Sequence, residues 1–492
     1  MVFHVHDRAL KIALAIGFVA VAVRFIGLNQ PFIDDWSWRQ SDVAAIARNF
    51  SQNGFHFAYP QIDWAGGEPG YVGTEFPILP WLAAVIYRFV GIHEWVGRSQ
   101  AIILFSASLP FFFLLVRRLS DDVTACAALL FYSFAPLHLM ASRCFMPDAP
   151  SLGLSIIGLY LFLRWTETDR PALFVWAAFV LSLAILIKIP TALIGVPLAV
   201  IALARFGRSA FCHGHLWVFA AIVLLPSAAW YWHAHRISQQ FYPYHFFGAG
   251  GFRIEPFSWY AKIAERTVWL GLTGVLSVLA LAGLVVARGE PRLRPVRWWG
   301  GVMILFLIFA GYGNRHPWYQ LPFVPIAAVF AGYFCSAIAR RFDESPRLLR
   351  MTGMALLIAF GILSYSGARY FYRESAADLH SLALGLKAST PPGSLVIAAD
   401  YGDPSVFYYA ERKGWHFMEI NGIYGGHPLD GADAIADLEG LRKRGATHIV
   451  FYSGSLWWLN YYKELSDYLA AHATLQATNA AYRIYQLNPQ SP

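Results

Sequence analysis

The sequence predicts a polytopic α-helical membrane protein that ends in a small soluble α/β domain. Of its 492 residues, 57% are hydrophobic and only 14% are charged, a balance too apolar for an ordinary soluble protein. Apolar runs long enough to cross a bilayer recur up to about residue 371. Beyond that point the composition is that of a soluble domain. Together these observations determine the predicted fold class.

We predict about eleven transmembrane helices, since each span needs roughly 20 apolar residues. The apolar runs lie near residues 11–28, 99–116, 123–141, 149–163, 171–187, 191–204, 215–233, 266–287, 298–313, 318–339 and 351–367. The first run follows basic residues but lacks a small-residue cleavage site. We therefore interpret it as an uncleaved first span.

Arginine clusters between the apolar runs predict the orientation. They fall in alternate loops, as at Arg117-Arg118 and Arg340-Arg341. Because positively charged loops stay in the cytoplasm, we expect a cytoplasmic N-terminus and an extracytoplasmic C-terminal domain, in the cell inner (plasma) membrane. The net charge of +8 then orients the chain among membrane lipids and indicates no nucleic-acid partner.

The longest polar segment before the C-terminal domain covers residues 29–98 and forms the first outward loop. A helix begun at its acidic pair, with Asp35 as N-cap, places Asp35, Arg39 and Asp42 on one face. Apolar residues alongside make this helix amphipathic, and we expect it to lie at the membrane surface. A second apolar run ends at Val90. It is predicted to be an interfacial or re-entrant helix, because a crossing would invert every later loop.

The C-terminal segment predicts a soluble α/β domain over residues 372–492, after a transmembrane catalytic domain over residues 1–371. Strands are expected at 394–399, 447–452 and 481–487, and a helix is expected at 432–444. About 120 residues suffice for a small hydrophobic core.

Ionisable residues on the outward side are the candidate functional residues, because charges at membrane depth are costly to keep. They form four groups: Asp34, Asp35, Arg39 and Asp42; Glu75; Arg143 with Asp148; and Lys188 with Arg315, His316 and Tyr319. Carboxylates and cations together suit group transfer from a phosphate-linked donor, in which the cations hold the phosphate and a carboxylate takes the acceptor's proton. Each group also has a structural interpretation, as a snorkelling cation or an ion pair.

Two further sequence patterns concern possible ligand-binding and metal sites. The 234–264 segment is rich in aromatic residues and histidine, a composition typical of a binding loop. The four cysteines lack paired spacing and the His-x-His pairs lack a third ligand, so no zinc site is indicated. No cofactor follows from the sequence, and the need for a divalent cation stays open.

Several short motifs, taken in order, resemble those of the GT-C superfamily of membrane glycosyltransferases. The likeness is to the family containing protein O-mannosyltransferases and lipid A aminoarabinose transferases. The motifs lie at residues 44–48, 75–77, 91–98, 146–149, 186–190 and 316–325. The resemblance covers roughly residues 10–370 and implies a GT-C-like fold with interfacial helices in the first outward loop.

The resemblance implies an enzyme that moves a single sugar from a polyprenyl-phosphate donor and inverts the anomeric centre. The acceptor would be a lipid, a glycan or a protein on the extracytoplasmic face. A carboxylate of the first outward loop would be the general base. Asp34, Asp35 and Asp42 remain alternatives for this role, and we favour Asp42 and Asp35 because they share the predicted helix face.

The remaining site roles also follow from the resemblance. Aminoarabinose transferases have a lysine after the glutamate that matches Glu75, whereas this chain has Phe76. Phosphate binding then falls to Arg39, Lys188, Arg315 and His316. The residues expected to shape the site are Glu75, Arg143, Asp148 and Tyr319.

Two other functions fit the same residues. A transporter or flippase for lipid-linked sugars would line its path with such charges, but the chain lacks the internal repeat that many transporters show. A non-catalytic subunit of a glycan-assembly complex is the second alternative. The one-sided soluble domain favours an enzyme.

Overall fold

The structure, a computed structural model, describes residues 2–247, 251–341 and 345–489. Backbone contacts divide the chain into two compact units. The first contains Met1–Leu28, Arg98–Trp230 and Gly248–Phe371, and the second contains Asn29–Gly97, Tyr231–Phe247 and Tyr372–Pro492. The first outward loop thus belongs to the same unit as the C-terminal segment, a grouping that the sequence analysis did not predict.

The described chain is mainly helical. Its earlier helices are α1 (Val2–Val23), α2 (Ser37–Asn53), α3 (Ile78–Val90), α4 (Glu94–Leu119), α5 (Asp122–Phe134), α6 (Pro136–Ala141), α7 (Asp148–Thr168), α8 (Pro171–Ile187), α9 (Gly195–Phe206) and α10 (Gly214–Gln240). The later helices are α11 (Phe257–Glu265), α12 (Gly274–Val286), α13 (Arg294–Ala310), α14 (Phe323–Arg341), α15 (Pro346–Phe371), α16 (Ala377–Ser389), α17 (Ser405–Ala410), α18 (Gly431–Lys443), α19 (Trp458–Tyr461) and α20 (Lys463–His472).

Each predicted apolar run overlaps a helix. Within the described residues, six helical stretches are long and apolar enough to cross a membrane: Glu94–Leu119, Ile189–Cys212, Gly214–Gln240, Pro291–Ala310, Pro317–Arg341 and Arg347–Phe371. A helix pair bent by 104°, Phe257–Leu272 with Gly274–Gly289, raises the number to seven if it forms one span. The remaining runs lie in helices outside this set, such as the 17-residue α8. The protein is therefore a multi-pass membrane protein.

Helix α3 is too short to cross a bilayer. Its 13 residues extend about 20 Å at 1.5 Å each, against a hydrocarbon core of about 30 Å. One face packs inward through residues such as Leu79 and Ala83, while Leu82 and Phe89 are exposed. A short helix with an exposed apolar face is typical of an interfacial element, as the sequence analysis predicts.

Seven strands lie in the described C-terminal segment. They are β1 (Leu395–Ala399), β2 (Lys413–His416), β3 (Glu419–Ile420), β4 (Ile423–Tyr424), β5 (His448–Tyr452), β6 (Ala473–Thr478) and β7 (Tyr482–Leu487). Five form one sheet in the order β2-β1-β5-β7-β6, and β3 pairs with β4 separately. Strand β1 is parallel to β2 and β5, whereas β7 is antiparallel to β5 and β6.

The predicted soluble α/β domain is confirmed, with β1, β5, β7 and α18 at the expected positions. The sequence analysis missed β2 and β6, the two edge strands. Strand β2 has only four residues, Lys413–His416, and β6 is exposed along most of its length. Neither therefore shows the alternating apolar pattern that marks a half-buried strand.

The first outward loop and the C-terminal segment share one hydrophobic core. Val396 and Val450 on one face of the sheet belong to the same buried cluster as Ile46, Phe50 and Trp64 of the loop. The opposite face of the sheet carries a second buried cluster, built on residues such as Ile397, Ile449 and Trp458. Because the sheet needs cover on both faces, the loop is a structural part of the second unit.

This shared core changes the prediction for α2. The helix begins at Ser37, its N-cap is Trp36, and no side chain caps it. Asp35 lies in the preceding turn, so the prediction that Asp35 caps the helix is wrong. Positions Arg39 to Phe50 are all buried, so the prediction of an amphipathic surface helix is also wrong. Burial on all sides follows from packing in the core of the second unit.

Candidate functional site

Asp42 lies on α2 and is buried, with 2% of its surface exposed. The indole Nε1 of Trp64 donates a hydrogen bond to its Oδ1 at 2.9 Å. Burial raises the pKa of Asp42 to about 6, although Arg39, the Trp64 hydrogen bond and His416 each oppose this effect. A carboxyl group with a pKa near neutrality can accept a proton during a reaction at physiological pH.

Trp64 connects Asp42 to two histidines. Its ring centroid lies 5.2 Å from that of His416 and 5.6 Å from that of His245. Trp64 is held in turn by the hydrophobic core that the loop shares with the sheet. We name the group formed by Arg39, Asp42, Trp64, Glu75, His245, Asp400, Asp403 and His416 the Asp42 cluster.

His416 and Asp400 form a buried ion pair in this cluster. The Nδ1 atom of His416 lies 2.8 Å from Oδ1 and 2.9 Å from Oδ2 of Asp400. Burial alone lowers the pKa of His416, but the charge and hydrogen bond of Asp400, aided by Asp42 and Asp403, raise it overall. The neighbouring carboxylates therefore favour the protonated, positively charged form of His416.

The fold explains why these residues meet. His416 ends β2, Asp400 directly follows β1, and the two strands are parallel neighbours. The carboxyl ends of parallel strands lie at the same edge of a sheet, where sites of α/β proteins commonly form. Asp403, three residues further, accepts a hydrogen bond at 2.6 Å from the hydroxyl of Ser37, the first residue of α2.

A glycine places Trp64 at this edge. Gly414 of β2 donates a backbone hydrogen bond to Asp63, and Gly66 donates one to Gly414. Gly66 has φ +61°, and a Cβ atom there would lie 1.9 Å from the Trp415 ring. Only glycine fits this conformation and this space, so the loop can run along β2 close enough to bring Trp64 to His416.

Arg39 and Glu75 form a second buried ion pair. The Nη2 atom of Arg39 lies 2.7 Å from both carboxylate oxygens of Glu75, and both side chains are buried. The Arg39 guanidinium also lies over the Phe247 ring, 4.6 Å from its centroid. Glu75 therefore compensates the positive charge of Arg39 inside the unit.

His245 lies near the same pair. Gly73 donates a backbone hydrogen bond to His245 and accepts one from Phe247. Burial, followed by the charge of Arg39, lowers the pKa of His245 to about 4, so its ring is neutral at pH 7. The prediction of a loop from residue 234 is wrong at its start, because α10 continues to Gln240.

The other two candidate bases have different surroundings. Asp34 is buried, and its Oδ1 accepts hydrogen bonds from the backbone of Trp36 and the amide of Gln40. Asp35 is only partly buried and pairs with Arg373 at 2.7 Å. Asp34 thus orders the turn before α2, while Asp35 joins the loop to the C-terminal segment.

The first unit contains a separate polar group around Lys188. Lys188 follows the last residue of α8, and its Nζ lies 3.2 Å from Oδ1 of Asp148, the first residue of α7. The same ammonium lies 4.6 Å from the centroid of the Tyr319 ring. These three side chains, with Trp299 and Trp318, line a cavity of about 40 Å³. This is enough space for a few small polar atoms.

The other predicted residues of the first unit lie in varied settings. Arg143 is buried and donates a hydrogen bond to the carbonyl of Gly27 at 2.8 Å. Arg315 is exposed and donates to the carbonyl of Tyr312 at 3.3 Å. The His316 ring stacks on Trp318, with centroids 4.6 Å apart.

The predicted residues thus divide between the two units. The second unit contains Asp34, Asp35, Arg39, Asp42 and Glu75, and the first contains Arg143, Asp148, Lys188, Arg315, His316 and Tyr319. Sequence reasoning missed Trp64, Asp400, Asp403 and His416, and it noted His245 only as part of a loop. Asp400 could have been found, because it directly follows a predicted strand, and Asp403 lies three residues further. Among the described residues, no three His, Cys, Asp or Glu side chains are arranged to hold a metal ion.

Comparisons with known proteins bear on the fold. A family model described as dolichyl-phosphate-mannose-protein mannosyltransferase matches residues 74–232. A search of curated proteins by sequence gave no match. ArnT from Cupriavidus metallidurans, solved bound to undecaprenyl phosphate, has a TM-score of 0.69 at 14% identity, over 97% of this chain and 99% of that one.

A second similar structure is the archaeal oligosaccharyltransferase AglB from Archaeoglobus fulgidus, in complex with an inhibitory peptide and a dolichol-phosphate. Its TM-score is 0.60 at 13% identity, over 97% of this chain and 74% of that one. The protein therefore has the GT-C fold, and the resemblance to the O-mannosyltransferase and aminoarabinose transferase family is confirmed.

Proposed function

We propose that the protein is a glycosyltransferase that moves one sugar from a polyprenyl-phosphate donor to an acceptor on the extracytoplasmic face, with Asp42 as general base. The observation that carries the proposal is the buried Asp42 carboxyl, whose pKa is raised to about 6 in a chain with the GT-C fold. The undecaprenyl phosphate bound in ArnT supports a polyprenyl-phosphate donor.

The proposed reaction is a direct displacement. Asp42 accepts the proton of the acceptor hydroxyl, and the resulting oxygen attacks the anomeric carbon. The bond from that carbon to the phosphate oxygen breaks, and polyprenyl phosphate leaves with the electron pair. A single displacement inverts the anomeric centre, and the proton stays on Asp42 until it passes to solvent.

The cations take two different roles in this proposal. In the first unit, Lys188, Arg315 and His316 bind the donor phosphate, with Asp148 and Tyr319 holding the Lys188 ammonium. In the second unit, Arg39 is engaged by Glu75 and lowers the pKa of Asp42. We therefore assign Arg39 to the electrostatics of the base and leave phosphate binding to the cations of the first unit.

The test uses the purified full-length protein in detergent with a panel of polyprenyl-phosphate sugars and with lipid, glycan and peptide acceptors. Release of polyprenyl phosphate is measured for the wild type and for Asp42→Asn, Asp35→Asn and Asp34→Asn. Since general-base catalysis contributes about 10²–10⁴-fold, Asp42→Asn should lose that much turnover while it still binds the donor.

Two results would overturn this proposal. If the wild type binds the donors but releases polyprenyl phosphate from none of them, the protein is not a glycosyltransferase for this donor class. If Asp42→Asn keeps its turnover while Asp34→Asn or Asp35→Asn loses it, another carboxylate is the base. The three substitutions are matched in size and charge, so a difference among them reflects position alone.

A further inference from the structure

The C-terminal domain places three ionisable side chains next to the proposed base. Asp400 and Asp403 follow β1, and His416 ends β2. Carboxylate side chains are seldom fully buried in a protein unless they are paired.

The exposed surface is 1% for Asp400 and 4% for His416, whereas Asp403 is only partly buried. Asp400 and His416 are therefore the fully buried members of this group. A buried charged pair is costly unless its members are bonded to each other, as these two are. The pair does not fill the hydrophobic core, since it lies at the edge where the strands end.

Contacts join this pair to Asp42. The Trp64 indole donates to Asp42 through its Nε1, and its ring packs against the His416 ring at 5.2 Å. The hydroxyl of Ser37, on the same helix as Asp42, donates to Asp403. The base is thus held between its own helix, the first outward loop and the carboxyl ends of two strands, all within one unit.

The charged groups that face Asp42 come from each of these elements. Arg39 from α2 and the protonated form of His416 from β2 favour the ionised carboxylate. Asp403, from the turn after β1, is negative and opposes it. Glu75 and His245 act on the base indirectly: Glu75 pairs with Arg39, and His245 contacts Trp64.

We propose that His416 and Asp400 are positioning residues for Asp42, through which the C-terminal domain keeps the base ionised and correctly placed. This inference rests on the proposed function, in which Asp42 is the general base. Asp400 holds the His416 ring in place and keeps it positively charged. His416 then stabilises the Asp42 carboxylate, and Trp64 fixes the direction in which that carboxylate points.

The test is the pH profile of polyprenyl phosphate release, measured between pH 5 and 9 on the full-length protein. Loss of the His416 charge leaves Asp42 harder to ionise. We therefore expect His416→Gln and Asp400→Asn to move the acid limb of the profile upward by about one pH unit. Both variants should recover most of their turnover at high pH, where Asp42 ionises without help.

Asp403→Asn is the matched control, because the charge of Asp403 raises the pKa of Asp42, whereas the charge of His416 lowers it. Its acid limb should move to lower pH, while Asp400→Asn, an identical substitution three residues away, moves the limb to higher pH. A merely structural role would lower activity at every pH and leave the limb in place. If His416→Gln fails to fold, the opposite shifts of the two aspartate variants still decide the question.

The outcomes separate the two proposals. If Asp42→Asn is inactive but all three acid limbs coincide with the wild type, the positioning role is overturned and the base assignment stands. If Asp400→Asn and Asp403→Asn shift in the same direction, the positioning role is also overturned. If Asp42→Asn remains active, the assignment of Asp42 as general base is wrong, and the positioning role of His416 and Asp400 is overturned with it.

Discussion

The two polar groups of this protein use similar chemistry but are assembled in different ways. In the first unit, Lys188 pairs with Asp148 beside an aromatic ring; Asp148 begins α7 and Lys188 directly follows α8. In the second unit, the Asp42 cluster draws on three chain segments that lie far apart in sequence. A helical hairpin is enough to bring Lys188 and Asp148 together, whereas the Asp42 cluster requires the folded sheet.

The two groups also differ in how their charges are compensated. The Nη2 atom of Arg39 lies 2.7 Å from both carboxylate oxygens of Glu75. The Lys188 ammonium lies 3.2 Å from one oxygen of Asp148 and also makes a cation–π contact with the Tyr319 ring. Hydrogen bonds between a guanidinium and a carboxylate are charge-assisted, and they are stronger than those between neutral groups. We infer that the Arg39–Glu75 pair has a structural role in the second unit.

The largest expected effect comes from breaking the buried Arg39–Glu75 pair. Glu75→Gln leaves the Arg39 charge buried without its carboxylate, and we expect a loss of about 3–5 kcal/mol in the free energy of unfolding. Thermal unfolding in detergent measures this loss. Glu411→Gln is the matched control, since its partner Lys387 and Glu411 are both about half exposed. Equal effects of the two substitutions would show that burial does not set the strength of the Arg39 pair.

The second-largest expected effect is an increase in the free energy of unfolding. Asp42→Asn should stabilise the protein at pH 7.5, because burial makes the ionised carboxylate unfavourable. A pKa raised from 3.8 to about 6 corresponds to about 3 kcal/mol, with the penalty absent below pH 4 and complete above pH 6. Thermal unfolding at pH 4 and pH 7.5 tests this difference. A variant no more stable than the wild type at pH 7.5 would show that neighbouring groups fully compensate the charge.

A smaller effect is expected for Lys188 in the first unit. Lys188→Met removes one proposed phosphate contact, so we expect the KM for the donor to rise about tenfold, which corresponds to about 1.4 kcal/mol. Turnover at saturating donor should change less, because the base is intact. Steady-state kinetics of polyprenyl phosphate release separates the two parameters. A fall in kcat at unchanged KM would contradict the phosphate-binding role.

The smallest effect is expected at the surface of the second unit. Lys387→Ala removes an ion pair with Glu411 in which both side chains are about half exposed. Such pairs contribute about 0–1 kcal/mol, so the change in the free energy of unfolding should stay within about 0.5 kcal/mol. The same detergent unfolding assay measures it. A loss comparable to that of Glu75→Gln would remove the contrast between buried and exposed pairs.

Most of the fold could be predicted from local patterns. Every predicted apolar run overlaps a helix, and the predicted strands at 394–399, 447–452 and 481–487 match β1, β5 and β7. The edge strands were missed because short or exposed strands show no alternating apolar pattern. The burial of α2 was missed because its surroundings come from the sheet, more than 300 residues further along the chain.

The candidate site was predicted only in part. Asp42, Arg39 and Glu75 could be named because they are ionisable residues of the first outward loop. Asp400, Asp403 and His416 could not be assigned to the same group, since contacts such as that of Ser37 with Asp403 join residues 366 positions apart. The phosphate-binding roles of Lys188, Arg315 and His316 stay predictions.

The sequence by itself determined the membrane-protein class, the GT-C resemblance and the soluble domain. It could do so because hydrophobic length and periodicity are properties of neighbouring residues. Only the tertiary structure decided which charges pair, which carboxyl is buried with a raised pKa, and which histidine stands beside it. These outcomes depend on burial and on distances between remote side chains, and no local pattern in the sequence records them.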